Sequence, residues 1–327
     1  MTASPIVERE LSAALSFDAP VARHLVHRWA LSEVFLTDVR ADASGYQAAA
    51  CLPAAHSYFA DQPPRLGLDP MLSMECARQA ATYIAHQHLG VPHGSMFLVA
   101  DWSYTVPREL LTDEAAARLR APAQRPGLGR LTMSMTVTPQ VRSDVVRGAR
   151  FDVLLWLDGE PAGEMTINAR YTPAGEADLV RRYHRKTAPP LSPTLPVTPT
   201  GVALPPASVG RTRDANVVLF DAQLTSEHLR ARLGTVPAHR GFYDHPQDHY
   251  PAMILLEAAG QAAVAHTGGR VGGYRAAFHR FAELDEPVLV TAVADGSDHT
   301  HVTFVQADTV VARITVLLLA TADGAPR

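Results

Sequence analysis

The sequence is short of lysine, of cysteine and of long apolar runs, and each shortage removes a class of function. Lys186 is the only lysine among 29 cationic side chains, which with the abundant alanine points to GC-rich bacterial coding rather than to an arginine-selected surface. Cys51 and Cys76 are the only cysteines, too few for a disulfide framework or a four-cysteine zinc site and suited to a reducing cytoplasm. The most apolar run, Ile314 to Ala320, falls far short of the ~20 residues a membrane helix needs. The opening MTASPIVERELSAAL has early acids and no apolar core segment, so no signal peptide is expected. A large excess of either charge is missing too. A net charge of −4 and a pI near 6.4 give no electrostatic case for nucleic acid or an anionic membrane.

What is present is enough apolar material for real cores: 327 residues, 47% hydrophobic and 19% charged, too long for one ordinary domain and right for two. Between Thr187 and Pro206 the chain reads TAPPLSPTLPVTPTGVALPP, proline-rich and without charge, which suits an extended spacer. The expected organisation is an N-terminal domain over 1–186, a linker over 187–206 and a C-terminal domain over 207–327.

The two halves overlay. Val34–Asp38 matches Val217–Asp221, and Met71–Ala81 matches Met253–Ala263, at offsets of 183 and 182 residues. Phe97–Trp102 is set against Phe278–Glu283 as a third match in the same order. An internal duplication explains this better than chance. Each half runs from a strand through a His/Asp/Pro loop into one long helix. Asp69-Pro70 opens the first helix as cap and first-turn proline, and Gly90 with Pro92 ends it. Pro251 and Gly268-Gly269 bound the second. Strands are expected over Leu131–Pro139, Phe151–Leu157, Glu164–Tyr171, Val288–Ala294, Val302–Gln306 and Val310–Leu319, with Asp158-Gly159 as a hairpin turn. One helix followed by antiparallel strands, twice, is an α+β plan.

A His/Pro loop opening a helix written P-x-x-x-x-x-E-x-x-x-Q, here Pro251, Glu257 and Gln261, with F-x-x-F-x-x-x-x-x-P behind it as a strand, resembles the hotdog fold of acyl-thioester enzymes. The whole chain resembles the AfsA family of γ-butyrolactone signal biosynthesis, a tandem hotdog. The resemblance is carried by Val34 to Asp38, by Asp69-Pro70-Met71-Leu72 through Glu75-x-x-Arg78-Gln79, and by Phe242-Tyr243-Asp244-His245-Pro246-Gln247-Asp248-His249. It implies two hotdog domains packed as a pseudo-dimer. It also implies transfer of a β-ketoacyl group, held as a thioester on acyl carrier protein or CoA, to the hydroxyl of a glycerone-phosphate-type acceptor. The functional residues it implies are Glu75 with Arg78 and, in the second half, Glu257. The second-half arginine is replaced by Gly260.

The residues themselves fit such chemistry. A helix N-terminus offers free N–H groups to a thioester carbonyl oxygen, and a carboxylate buried in LSMECA or ILLEAA is expected to have a raised pKa suited to a general base. Glu75 and Glu257 are thus catalytic candidates, and the resemblance to hotdog dehydratases adds His245 and His249. Arg78, Gln79, Gln261, Met71 and Met253 are candidates for the substrate-binding wall. Arg78 could instead simply pair with Glu75, and Gln79 and Gln261 could be structural, bonding across the pseudo-dimer. Metal binding by His245 and His249 is disfavoured, because the prolines around them argue for a loop rather than a helix and no third ligand is evident. His56 is the first-half counterpart expected for these histidines. No cofactor is expected. A dehydratase, isomerase or thioesterase on a carrier-bound acyl chain is the alternative function, and a binding module without chemistry is the third. The expected partners are an acyl thioester and a small phosphorylated acceptor, with the chain a monomeric pseudo-dimer or a homodimer.

Overall fold

Asp69 accepts a hydrogen bond from Met71 N at 2.8 Å with Pro70 in the first turn, and these start helix α1, Pro70–Gln87. Helix α2, Ala252–Thr267, starts after Pro251 with no side-chain cap and ends at Gly268, whose φ of 71° takes the left-handed cap conformation. The computed structural model describes residues 15–53, 55–61, 69–107, 129–173, 175–176, 181 and 185–319; almost all of the opening segment read for a signal peptide lies outside these.

The strands are β1 Leu36–Asp42, β2 Gly45–Cys51, β3 Met96–Thr105, β4 Arg130–Arg142, β5 Val145–Leu157 and β6 Glu160–Thr172 in the first half. In the second they are β7 Leu219–Leu224, β8 Leu229–Leu233, β9 Arg270–Phe278, β10 Leu289–Asp295, β11 His299–Gln306 and β12 Thr309–Leu319. All six strands expected from alternation are among them. Asp158 and Gly159 turn β5 into β6 with φ of 48° and 95°, the positive pair that a tight hairpin demands.

The described strands form one antiparallel sheet in the order β1-β2-β4-β5-β6-β3-β9-β12-β11-β10-β8-β7. Exchanging the halves leaves this order unchanged, so a pseudo-two-fold passes through the β3–β9 pair. There Trp102 stands opposite Ala276 and Tyr104 opposite Tyr274. A Cβ on Gly273 would lie 2.2 Å from the carbonyl oxygen of Tyr104, so only glycine lets the two backbones meet at this seam. The pairing removes what would be an open edge on each half, and a single buried apolar cluster runs through both helices and across the seam. The architecture is α+β, two hotdog units sharing one curved sheet.

The third sequence match fails in the structure. Phe97 lies at the start of β3, whereas Phe278 closes β9, and the F-x-x-F stretch runs on into the loop after β9 rather than forming a strand. Both strands carry a register shift at one place, between Val99 and Asp101 in β3 and opposite Leu317 and Leu318 in β9. Aligning these bulges makes Trp102 the counterpart of Tyr274. The physical reason is loop length: residues 88–95 join α1 to β3, but only 268–269 join α2 to β9.

The end of the proline-rich stretch is structured by the second half. Leu204 N donates to Leu219 O at 3.0 Å, as Val21 N donates to Leu36 O at 2.9 Å in the first half.

Candidate functional site

Each helix presents a glutamate and, one turn later, a glutamine. Gln79 Nε2 donates to Glu75 Oε1 (2.7 Å) and to Glu33 O (2.8 Å), while its Oε1 accepts from Phe35 N (3.0 Å). Gln261 repeats this with Glu257 Oε1 (2.6 Å), Asn216 O (2.6 Å) and Val218 N (3.0 Å). Both amides tie a helix to the strand entry of their own half, not across the pseudo-dimer, and both are buried. A buried amide with every group paired is a fixed one.

Each glutamate also meets an arginine that the sequence reading passed over. Arg28 Nη2 lies 2.5 Å from Glu75 Oε1, and Arg211 donates to Glu257 through Nε (2.8 Å) and Nη2 (2.5 Å). These arginines are 183 residues apart, the spacing already seen for Val34–Asp38, so the signal was there in Val26-x-Arg28 and Val209-x-Arg211. The same spacing relates His56 to His239 and Asp61 to Asp244. His56 Nδ1 accepts from Phe59 N and His239 Nδ1 from Phe242 N, so the counterpart of His56 is His239 rather than His245 or His249. Each aspartate reaches into the other half. Asp244 accepts from Trp29 N (2.6 Å) and Ala30 N (2.9 Å), and Asp61 from Thr212 N (3.3 Å) and Arg213 N (3.2 Å).

The two centres have diverged in access. Around Glu257, the Tyr58 hydroxyl donates to Oε2 (2.8 Å), and the Arg211 guanidinium lies 4.8 Å above the Tyr58 ring and 3.4 Å from Asp69 Oδ2. Tyr58 fits because its neighbour is Gly241, where a Cβ would sit 2.9 Å away. At Gly260 the Tyr274 hydroxyl takes the space, 2.6 Å from where a Cβ would be. The side chains of Arg211 and Glu257 are 5% and 3% exposed. This centre is closed.

Around Glu75 the carboxylate is fully buried but its partners are not. Arg78 donates to both oxygens at 2.8 Å; its side chain is 22% exposed and that of Arg28 13%. Trp29 is 61% exposed, with the His245 ring stacked on it at 5.9 Å. Asp69 both caps α1 and contacts Arg211, so the closed centre sits at a capped helix N-terminus. The pseudo-two-fold places the open centre at the N-terminus of α2, which no side chain caps and whose first turn carries Met253. Met71 is buried in the core.

His245 Nδ1 lies 3.3 Å from Asp244 Oδ2 and belongs to the open centre. His249 does not. It bonds Asp248 (2.6 Å) and packs edge-on to Phe281, within a separate group where Arg181 bridges Asp248 and Glu283. Cys76 is buried and its thiol is pushed well up by desolvation, so it is no nucleophile. Among the described residues no group of three or more His, Cys, Asp or Glu side chains is placed to hold a metal ion.

The electrostatics overturn one expectation. Burial raises the Glu75 carboxyl, but Arg28 and then Arg78 outweigh it and bring the pKa down to about 2. Glu75 is therefore a permanent anion that clamps two guanidiniums. Asp69 goes the other way: burial, with Glu257 nearby, raises it to about 6 against the attraction of Arg211. Its folded value lies above its ordinary 3.8, so its contribution to stability is present in acid and lost as pH rises from about 4 through about 6. Asp69→Asn keeps the cap and removes that loss. Its melting temperature is expected to match the wild type near pH 4 and exceed it above pH 7, by an amount worth about 1–3 kcal/mol; equal curves at both pH values would contradict the burial argument.

A family model described as "A-factor biosynthesis hotdog domain" matches residues 10–173 and 194–322. The chain is 34% identical to the 2-oxo-3-(phosphooxy)propyl 3-oxoalkanoate synthase of Streptomyces virginiae over 89% of this chain and 95% of that protein. It is 32% identical to the synthase of the same name from Streptomyces coelicolor, over 84% and 82%. Among solved structures, the 12:0-ACP thioesterase from Umbellularia californica is similar with a TM-score of 0.45 at 10% identity, over 84% of this chain and 97% of that one.

Proposed function

The chain belongs to the AfsA family of A-factor biosynthesis hotdog proteins, and from that premise we propose that it is an acyltransferase. It joins a β-ketoacyl group, carried as an acyl carrier protein or CoA thioester, to the hydroxyl of a glycerone-phosphate-type acceptor, and works in the cytoplasm. The relatives' name describes such a product, a 3-oxoalkanoate ester of a phosphorylated hydroxyketone. The observation that carries the reading here is the open centre, where two guanidiniums converge on one buried carboxylate and stay partly exposed.

Arginine forks suit phosphate, and Glu75 holds Arg28 and Arg78 ready for it. The uncapped first turn of α2 supplies N–H groups for the thioester carbonyl oxygen as charge develops there. Met253 and the stacked pair Trp29 and His245 wall the approach. Glu257, Arg211 and Tyr58 form the closed copy and support the fold. Gly260 then costs the reaction nothing, because the missing arginine belongs to the copy that Tyr58 and Tyr274 have filled.

Incubating the protein with a β-ketoacyl thioester and dihydroxyacetone phosphate should yield a phosphorylated ester by mass spectrometry; folded protein that yields none refutes the reading. Arg78→Ala is expected to raise KM for the acceptor ~10- to 100-fold, the worth of one charge-assisted contact, with KM for the thioester within about threefold. Equal effects on both substrates would move the phosphate away from Arg78.

A further inference from the structure

Segment 26–30 wraps the open centre, and most of it is committed to that centre. Val26 O accepts from Arg78, Arg28 pairs with Glu75, and the amides of Trp29 and Ala30 bond Asp244. His27 alone uses neither backbone nor side chain on these groups. It sits in the left-handed region with φ of 52°, and its counterpart 183 residues on is Gly210, with φ of 73°. The repeat therefore needs a left-handed residue after Val26 and Val209. Glycine meets that need without strain, whereas a side chain with a Cβ is disfavoured there. A histidine at this position answers some requirement other than the fold.

Its hydrogen bonds settle which nitrogen carries the proton. His86 Nδ1 lies 2.7 Å from Val91 O, so Nδ1 bears a hydrogen and donates it. His86 Nε2 is then an acceptor. His27 Nε2, 2.7 Å away, must donate to it, which leaves the lone pair of His27 on Nδ1. Among the described residues that nitrogen has no hydrogen-bond partner. Phe97 edges against the His27 ring at 4.8 Å and His93 stacks on His86 at 4.4 Å, fixing both rings. At the position of His86 the second half has Gly268, so the pair exists only beside the open centre.

Building on the acyltransferase reading, we propose that His27 is the general base of the reaction and that His86 is the positioning residue that holds its tautomer. As the acceptor oxygen attacks the thioester carbonyl carbon, its proton passes to His27 Nδ1 and a C–O bond forms. The tetrahedral intermediate then expels the thiolate as the C–S bond breaks, and His27 returns the proton to sulfur. Ester and free thiol are the products, and the base is regenerated. In the free protein the ring is neutral, because burial first and Arg78 next lower it to about 3. A phosphate seated on Arg78 offsets that second influence when the acceptor binds.

The test replaces His27 with the residue of the other half. His27→Gly should keep the circular-dichroism spectrum and melting temperature of the wild type while kcat for ester formation falls ~10²- to 10⁴-fold. Added imidazole should recover part of the rate, which a merely structural loss would not allow. His27→Asn, which also tolerates the left-handed backbone, should show the same loss and serves if the glycine variant fails to fold. Wild-type activity with either folded variant within about threefold, or a loss that imidazole never relieves in His27→Gly, overturns the assignment. A wild-type protein that forms no ester is a different result: it refutes the acyltransferase reading, and this inference falls with it.

Discussion

Glu75→Gln abolishes ester formation, to below ~1% of the wild-type rate, and lowers stability by about 3–5 kcal/mol. The amide keeps the size of the carboxylate and removes its charge, so Arg28 and Arg78, both mostly buried, face each other across a neutral side chain. The clamp that aims both guanidiniums outward is lost with it. The effect has a pH signature. The folded carboxyl titrates at about 2 against an ordinary 4.5, so its stabilisation is present above ~4.5 and lost as pH falls through about 2. The stability gap between wild type and variant, read from urea unfolding, should therefore be full at pH 7 and shrink steadily between about pH 4.5 and 2. A folded variant with ester formation within about threefold of wild type would remove Glu75 from the machinery altogether.

The closed centre, where one arginine meets Glu257 and Asp69, predicts a different pattern. Arg211→Met alone should cost about 3–5 kcal/mol, because Glu257 is left as a buried anion without its cation, while Asp69, already raised to about 6 and now without the arginine that lowers it, takes up a proton. Adding Glu257→Gln should recover most of that loss. The amide oxygen still accepts from Gln261 Nε2 and its NH2 can donate to the Tyr58 hydroxyl oxygen, which keeps both contacts, and a neutral pair replaces an ion pair with little net cost. The double variant should also still form the ester if, as proposed, the closed centre supports the fold and the open one meets substrate. If it unfolds at the wild-type midpoint yet forms no product, the working site is the closed one, and the roles of Glu75 and Glu257 exchange.

The two halves show how much of this was legible beforehand. Helix α1 declared itself through Asp69-Pro70 and the apolar spacing behind it, and the strands β4 to β6 and β10 to β12 through alternation and the Asp158-Gly159 turn. The glutamates and glutamines of the helices were found by overlay because both copies kept them. Arg28 and Arg211 obey the same spacing and were missed, since a short three-residue match looks like chance until the partner carboxylates are seen. The alignment of Phe97 with Phe278 failed where the link after the helix shortens. A gap of that kind is invisible to a fixed offset and obvious once the bulges of β3 and β9 are paired. The expected rise in the Glu75 pKa also failed, because burial can be inferred from neighbours in sequence, while a compensating guanidinium 47 residues away cannot.

By itself the sequence determined the elements, their duplication and the family, because these rest on local spacing, on caps and turns and on a repeat offset written into the chain. The tertiary structure decided which copy is open. That choice depends on volume and contact: Tyr58 from one half entering the space that Gly241 leaves in the other, Tyr274 filling the place of an arginine at Gly260, and Arg78 finding its carboxylate where its own side chain stays 22% exposed. Such differences of a few ångströms between residues distant in sequence have no periodicity to read. The same packing set His27 beside His86, and with them the nitrogen left to take a proton.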